Sequence, residues 1–241
     1  MTDKACGDKQ MDIVNNRDIQ QMKETLRLKF ASLSKGGQFI QHYLDVKSSV
    51  DHWKWATHDM FSVIPFEHEL NKFRRGRRLN LSGLEEAFEK KAFAFGFSKE
   101  GRLLLTAWPY SPGGQTGVQC SSHFYSELAN SKARVDYENS VQYPLSKFNP
   151  RLVGLGTLTW LNDETQLDIG VGDRDAYSAT VYSYSADRVV KAERFAQGWR
   201  GQTRYDFMYD DEGKLDRIMI GLHVWWSAKK WKRPFNSQTN K

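Results

Sequence analysis

Cysteine is nearly absent from this chain, with Cys6 and Cys120 the two in 241 residues. Cys6 sits in a polar N-terminal stretch, so no disulfide framework is expected, and two unpaired thiols fit a reducing compartment. Long apolar runs are missing as well. None approaches the roughly 20 residues that a membrane-spanning helix needs, and residues 1–9 carry no apolar leader segment. The expectation is a cytoplasmic chain with no transmembrane segment. Signatures of catalysis are equally scarce. There is no Gly-x-Ser-x-Gly nucleophile turn, and Gly113-Gly-Gln-Thr-Gly117 lacks the Lys-Ser/Thr pair of a phosphate loop. The six histidines (42, 52, 58, 68, 123 and 223) show no tight metal-ligand spacing. No metal and no cofactor are expected, and the reading leans away from an enzyme.

Basic charge and aromatic rings are plentiful. The net charge is +6, with one cluster at Lys72-Phe-Arg-Arg-Gly-Arg-Arg78 and another at Lys229-Lys-Trp-Lys-Arg233. A solvated basic surface accounts for such clusters, and so does an anionic partner, either an acidic protein face or a nucleic acid. Aromatics make up 13% of the chain, which suits sheet faces, interfaces and ligand cavities alike.

Periodicity divides the chain into four stretches. Residues 1–16 read as a disordered lead. From Arg17, Ile19, Met22, Leu26, Phe30 and Leu33 recur at helical steps, and Gly36-Gly37 ends that helix. A shorter helical pattern runs from Phe39 to Lys47. Residues 51–70 read as short strands or ordered loop, and Ser82 with Glu85 reads as a helix-opening box, so 17–91 is a helical and irregular N-terminal region. From Ala92 the period becomes two and stays so to residue 228, with 229–241 a basic tail. About ten strands joined by short turns follow one another, the pattern of an antiparallel meander. The fold class is therefore mainly β (α+β): a helical N-terminal segment followed by an up-and-down meander, as a curved half-barrel or a closed barrel.

One hairpin pattern recurs: Phe97-Ser-Lys-Glu-Gly-Arg-Leu103, Leu161-Asn-Asp-Glu-Thr-Gln-Leu167 and Tyr209-Asp-Asp-Glu-Gly-Lys-Leu215, with a shorter copy at Tyr184–Val189. The stretch Tyr205–Leu215 resembles the YD-type repeats of bacterial RHS proteins, with echoes at 95–103 and 182–189. Similar hairpins accompany such toxins in small cytosolic immunity partners, so the resemblance implies a protein-binding role. A second stretch, Gln197-Gly-Trp-Arg-Gly-Gln-Thr-Arg204, is similar to the Gly-x-Trp strand of lipocalin-like barrels.

Carboxylates at Asp163-Glu164, Asp173/Asp175 and Asp210-Asp-Glu212 fall on turn tips, where local backbone hydrogen bonds favour them and no desolvation activates them. Three functional readings follow. In the first, a non-enzymatic cytosolic protein of immunity or antitoxin type grips an acidic protein partner through Arg74, Arg75, Arg77, Arg78, Trp225, Trp226, Lys229, Lys230, Trp231, Lys232 and Arg233. In the second, a calycin-like barrel binds, cyclises or isomerises a small hydrophobic ligand, with Tyr182, Arg204, Tyr205 and His223 in its lumen. The third is nucleic-acid binding through the same basic-aromatic segments.

Overall fold

The computed structural model describes residues 12–111, 117–129, 132–142 and 149–231. Cys6, most of the expected lead, the Pro112–Gly114 loop, the tip at Asn130-Ser131, most of the 144–150 connection, and Lys232 and Arg233 of the tail lie outside the described residues. Residues 12–16, expected within the disordered lead, instead form a capped turn. The Asp12 carboxylate accepts from the amides of Val14 and Asn15, Ile13 is fully buried, and the Asn16 side chain accepts from the amides of Asp18 and Ile19 to start helix α1 (Arg17–Gly36). Gly37, at φ 67°, ends it with its amide bonded to the Leu33 carbonyl. Helix α2 (Gln38–Ser48) follows at once.

Thirteen strands form one sheet in the spatial order β13-β12-β11-β10-β9-β8-β7-β6-β5-β4-β3-β1-β2. They are β1 (His52–Ala56), β2 (Arg78–Leu79), β3 (Phe93–Phe97), β4 (Leu103–Tyr110), β5 (Gly117–Glu127), β6 (Ala133–Gln142), β7 (Pro150–Trp160), β8 (Thr165–Gly172), β9 (Tyr177–Ser185), β10 (Arg188–Ala196), β11 (Thr203–Tyr209), β12 (Leu215–Ile220) and β13 (His223–Ser227). Every pairing is antiparallel. Among the described residues the sheet does not close, and β2 and β13 are its edges.

The count exceeds the expected ten for two reasons. β1 and β2 come from before Ala92 and extend the sheet beyond β3. The stretch 214–226 is broken by a turn at Gly221-Leu222, with Gly221 at φ 55°, into β12 and β13 rather than running as one strand. The hairpin tips match the recurrent pattern: Gly101 and Gly213 adopt φ 80° and 76°, and the shorter copy turns on Ala186-Asp187, at φ 46° and 63°. The expected helix-opening box is shifted by one residue. Ser82 donates from its amide and hydroxyl to Glu86, not Glu85, at 2.7 and 2.8 Å, and Gly83 is the cap of α4 (Leu84–Glu89).

Because side chains alternate along each strand, the sheet has two faces with different cover. Ile19, Leu26 and Leu33 of α1 pack on Leu155, Leu167, Ile169, Val171, Ala179 and Val181. Val46 of α2 packs on Trp55, Ala94, Leu105, Ala107, Val118 and Cys120. Each fully buried Leu, Ile or Val there contributes roughly 1.5–3 kcal/mol. On the opposite face lies a strap, residues 57–77, which joins β1 to β2 and contains the short helix α3 (Glu67–Asn71).

The strap is fastened at three places. At its base the Thr57 amide donates to the Arg77 carbonyl at 3.0 Å, and the Gly76 amide to the Asp59 carbonyl at 2.8 Å. Glycine is required at 76 for space: a Cβ would lie 2.3 Å from the His58 carbonyl oxygen. Near one end, Phe61 meets Phe95 and Phe97 edge-on, with ring centres 5.1 and 5.2 Å apart. Near the other, Phe66 packs on Phe207 at 4.9 Å, and buried Leu70 joins Tyr182, Tyr205, Phe207 and Ile218. Trp225 Nε1 donates to the Leu70 carbonyl at 3.0 Å, and Arg194 donates to Asn71 Oδ1 at 2.7 Å.

Candidate functional site: a chamber beneath the strap

The aromatic stripes Phe93/Phe95/Phe97 and Tyr182/Tyr205/Phe207 bear the strap near its ends, and the sheet between them carries small and polar residues. A cavity of about 680 Å³ results. Phe61, Ser62, Ile64 and Glu67 of the strap roof it. Its sheet wall is Phe93 on β3, Thr106 and Trp108 on β4, Gln119, Ser121 and His123 on β5, and Tyr137 and Asn139 on β6. His58, Lys72, Phe73 and Arg74 also line it. A second cavity of about 520 Å³ shares Gln119, Tyr137 and Asn139 and runs on over Gly154, Gly170 and Gly172. The glycines create this space. Gly154 pairs with Gly172 and Gly156 with Gly170 across β7 and β8, and Tyr137 lies where side chains at 156 and 170 would otherwise stand.

Ionisable groups gather on the inner wall. Tyr137 Oη donates to Asp168 Oδ1 at 2.9 Å. Burial pushes the Asp168 carboxyl up to about 7, with the nearby Glu67 charge adding to the rise; the Tyr137 hydrogen bond and Arg194 oppose it. Glu67 is also raised, chiefly by burial and further by Asp59, against the pull of the Ser62 hydroxyl that donates to it. Burial drives His123 down to about 4, although its Nδ1 lies 3.2 Å from the Leu103 carbonyl and its Nε2 3.1 Å from Ser121 Oγ. Tyr137 and Tyr182 are raised well above the usual phenol range, first by burial and then by Asp168. Both stay neutral hydrogen-bond donors at physiological pH.

No family model, curated protein or solved structure matches the chain. The site therefore stands on its own geometry.

The residues expected in a lumen are divided between the faces. Tyr182 and Tyr205 are buried on the strap face, Tyr205 against Trp225. Arg204, next to Tyr205 along β11, points to the other face and pairs with Asp206 at 2.8 Å. His223 is exposed at the start of β13. The basic candidates also separate. Arg74 lines the chamber, Arg75 bonds Glu69 at 3.0 Å, and Arg77 and Arg78 are exposed at the sheet edge. Trp225 is engaged by the Leu70 carbonyl and by the Lys72 ammonium 3.7 Å from its ring. Trp226 is half-buried on β13, whereas Lys229 is exposed on α5 (Ala228–Trp231), which also carries Lys230 and Trp231. Sequence reading missed Trp108, Tyr137, Asp168 and the role of Glu67.

Among the described residues no three His, Cys, Asp or Glu side chains gather as a metal site. No described helix is long and apolar enough to cross a membrane. Cys120 is buried beneath α2, where desolvation pushes its thiol up to about 12, so it is not a nucleophile.

Proposed function

We propose that this chain is a small-molecule-binding β-meander protein that holds a flat, largely apolar ligand in the chamber under the strap. The observation that carries this reading is the hollow itself. Its volume of about 680 Å³ falls in the range of ligand sites, as does its lining of aromatic rings with a few convergent polar groups. Trp108 and Phe93 offer ring faces, Gln119, Ser121 and Asn139 offer hydrogen bonds, and Lys72 and Arg74 favour a ligand with some negative character. Cytoplasm as the working compartment belongs to the same proposal, supported by the free thiol of Cys120.

Anilinonaphthalene sulfonate, a flat amphipathic anion, is the probe. One molecule per chain is expected to bind to the native protein and to take energy from Trp108, visible as quenched tryptophan emission. Gln119→Trp, which fills the chamber, should weaken binding at least tenfold while leaving the melting curve cooperative. Unchanged binding in that variant would sink the proposal.

A second reading, an immunity-type grip on an acidic protein partner, draws support from Arg75, Arg77 and Arg78, which stand exposed in one stretch beside Arg74. It predicts retention on an immobilised polyglutamate peptide at low salt. That retention is lost when all four arginines become Glu and kept in Gln119→Trp; the ligand reading predicts the reverse pattern for the naphthalene probe. Retention that survives the four reversals defeats the acidic-partner reading.

A further inference from the structure

We propose that Asp168, Glu67 and Tyr137 form a proton-transfer centre at the inner wall of the chamber, acting on a flat carbon acid, a ring compound whose C–H lies beside a carbonyl or C=N group. This rests on the chamber being a ligand site and adds a reaction to it.

Convergence is the first support. The three groups come from β8, the strap and β6, far apart in sequence, and only the strap's crossing brings Glu67 over the Tyr137–Asp168 pair. Accessibility is the second. Each of the three is surrounded by protein, yet each keeps some accessible surface, and Glu67 and Tyr137 line the cavity directly. Buried carboxyls that merely brace a fold are packed shut. Glu67 and Tyr137 face an internal space large enough for a ring molecule, and the partly exposed Asp168 is bonded to Tyr137.

The chemistry follows from the electrostatics. Burial and the nearby Glu67 charge hold the Asp168 carboxyl up to about 7, so near neutrality it both takes and releases a proton. A base that titrates near neutrality is suited to removing a proton from carbon. Asp168 is fixed on a rigid strand by the Tyr137 hydroxyl; once Asp168 has taken a proton, the neutral Tyr137 hydroxyl is free to turn to a developing oxyanion.

In the step itself, an Asp168 oxygen takes the proton from carbon. The C–H electron pair becomes a C=C bond, and the carbonyl π pair moves to oxygen, where the Tyr137 hydroxyl, released by the now-protonated Asp168, donates to it. Return of the same proton to a second carbon of the conjugated system restores the carbonyl. The net change is isomerisation, with no oxidant or co-reactant.

The test uses 5-nitrobenzisoxazole as a flat carbon acid and 6-nitrobenzotriazole as its unreactive look-alike. The base removes the ring C–H proton, that electron pair forms C≡N, the N–O bond breaks, and the coloured phenolate leaves. Asp168 then releases the proton to water. The full chain is expected to accelerate this elimination over acetate by about 10²–10⁴-fold, the range of a positioned base.

The rate should rise with pH as Asp168 ionises, with a midpoint near 7. Tyr137 on β6, Tyr182 on β9, Arg194 on β10 and Glu67 on the strap face that carboxyl, and Asp59 and His68 in turn face Glu67. Asp168→Asn should lower the rate about 10²-fold. Glu67→Gln removes the competing carboxyl and should shift the midpoint to lower pH. Glu212→Gln, on an exposed hairpin tip, should change neither.

If Asp168→Asn fails to fold, the midpoint and its downward shift in Glu67→Gln decide the matter. If the look-alike binds but the rate stays at the acetate level, or persists in a folded Asp168→Asn, the proton-transfer centre is refuted and the chamber stands. If the look-alike does not bind, both fall.

Discussion

Gly156→Ala is expected to destabilise the protein by about 3–5 kcal/mol, far more than an alanine substitution in a strand normally costs. A Cβ at 156 would stand 2.4 Å from the Ile169 carbonyl oxygen and 2.4 Å from Tyr137 Oη. The first of these is backbone of the neighbouring strand and cannot rotate away. Relieving the second would swing the Tyr137 ring out and break its bond to Asp168, leaving a deeply placed carboxyl without its donor. Gly170, its partner across the β7–β8 pair, makes the built-in control. A Cβ there meets Tyr137 Oη at 3.1 Å and backbone only at 3.7 Å, so Gly170→Ala should cost about 1 kcal/mol or less. Urea midpoints at unchanged slope measure both. In a Tyr137→Ala background the cost of Gly156→Ala should shrink to the part owed to the Ile169 carbonyl, so the double-mutant cycle apportions the two clashes. Equal costs for the two glycines would show that neither the Ile169 carbonyl nor Tyr137 crowds position 156.

That glycine ladder also shows where sequence reading stopped. The helical steps of Ile19, Leu26 and Leu33 are a local signal, and they mark the face of the first helix that packs on Leu167, Ile169 and Val171. Gly154, Gly156, Gly170 and Gly172 are, taken locally, strand glycines of the kind that suit bends. That they make room for a tyrosine from β6 depends on pairing, which no local pattern encodes.

Asp168 was hidden for a related reason. In Gln166-Leu-Asp-Ile-Gly-Val171 it reads as an ordinary outward residue of a half-exposed strand. What makes it interior is the strap, which begins more than 90 residues earlier and is bound by Phe61, Phe66 and Leu70 to aromatic stripes at distant strands. The stripes themselves are period-two aromatics, a local pattern. Their occupant is not, because residues 57–77 are irregular and gain a position only from long-range contacts. The same logic corrects the lumen set. Tyr182 and Tyr205 share a face by register, whereas adjacent Arg204 must point the other way.

His123 and Asp168 should give stability–pH slopes of opposite sign. His123 is lowered from 6.5 to about 4, so between those values the unfolded chain takes up a proton that the folded chain refuses. Its contribution, about 3 kcal/mol, is fully present above pH 6.5 and is lost as pH falls through 4. Asp168 runs the other way. Raised from 3.8 to about 7, it keeps a proton in the folded state that the unfolded chain has already released. Its contribution, up to about 4 kcal/mol, is present below pH 3.8 and is lost as pH rises through 7. In the native protein these two slopes largely cancel across the shared window.

Substitution should uncover each of them. Asp168→Asn should become more stable relative to the native protein as pH rises from about 4 to 6.5, because the opposing contribution of Asp168 is gone and that of His123 remains. His123→Gln should become less stable over the same interval, because Asp168 remains. All other ionisable groups are common to the three proteins, so differences in urea midpoint between them isolate the two residues. If both variants keep the native slope, neither group titrates away from its ordinary range, and the chamber wall is wetter than its burial implies.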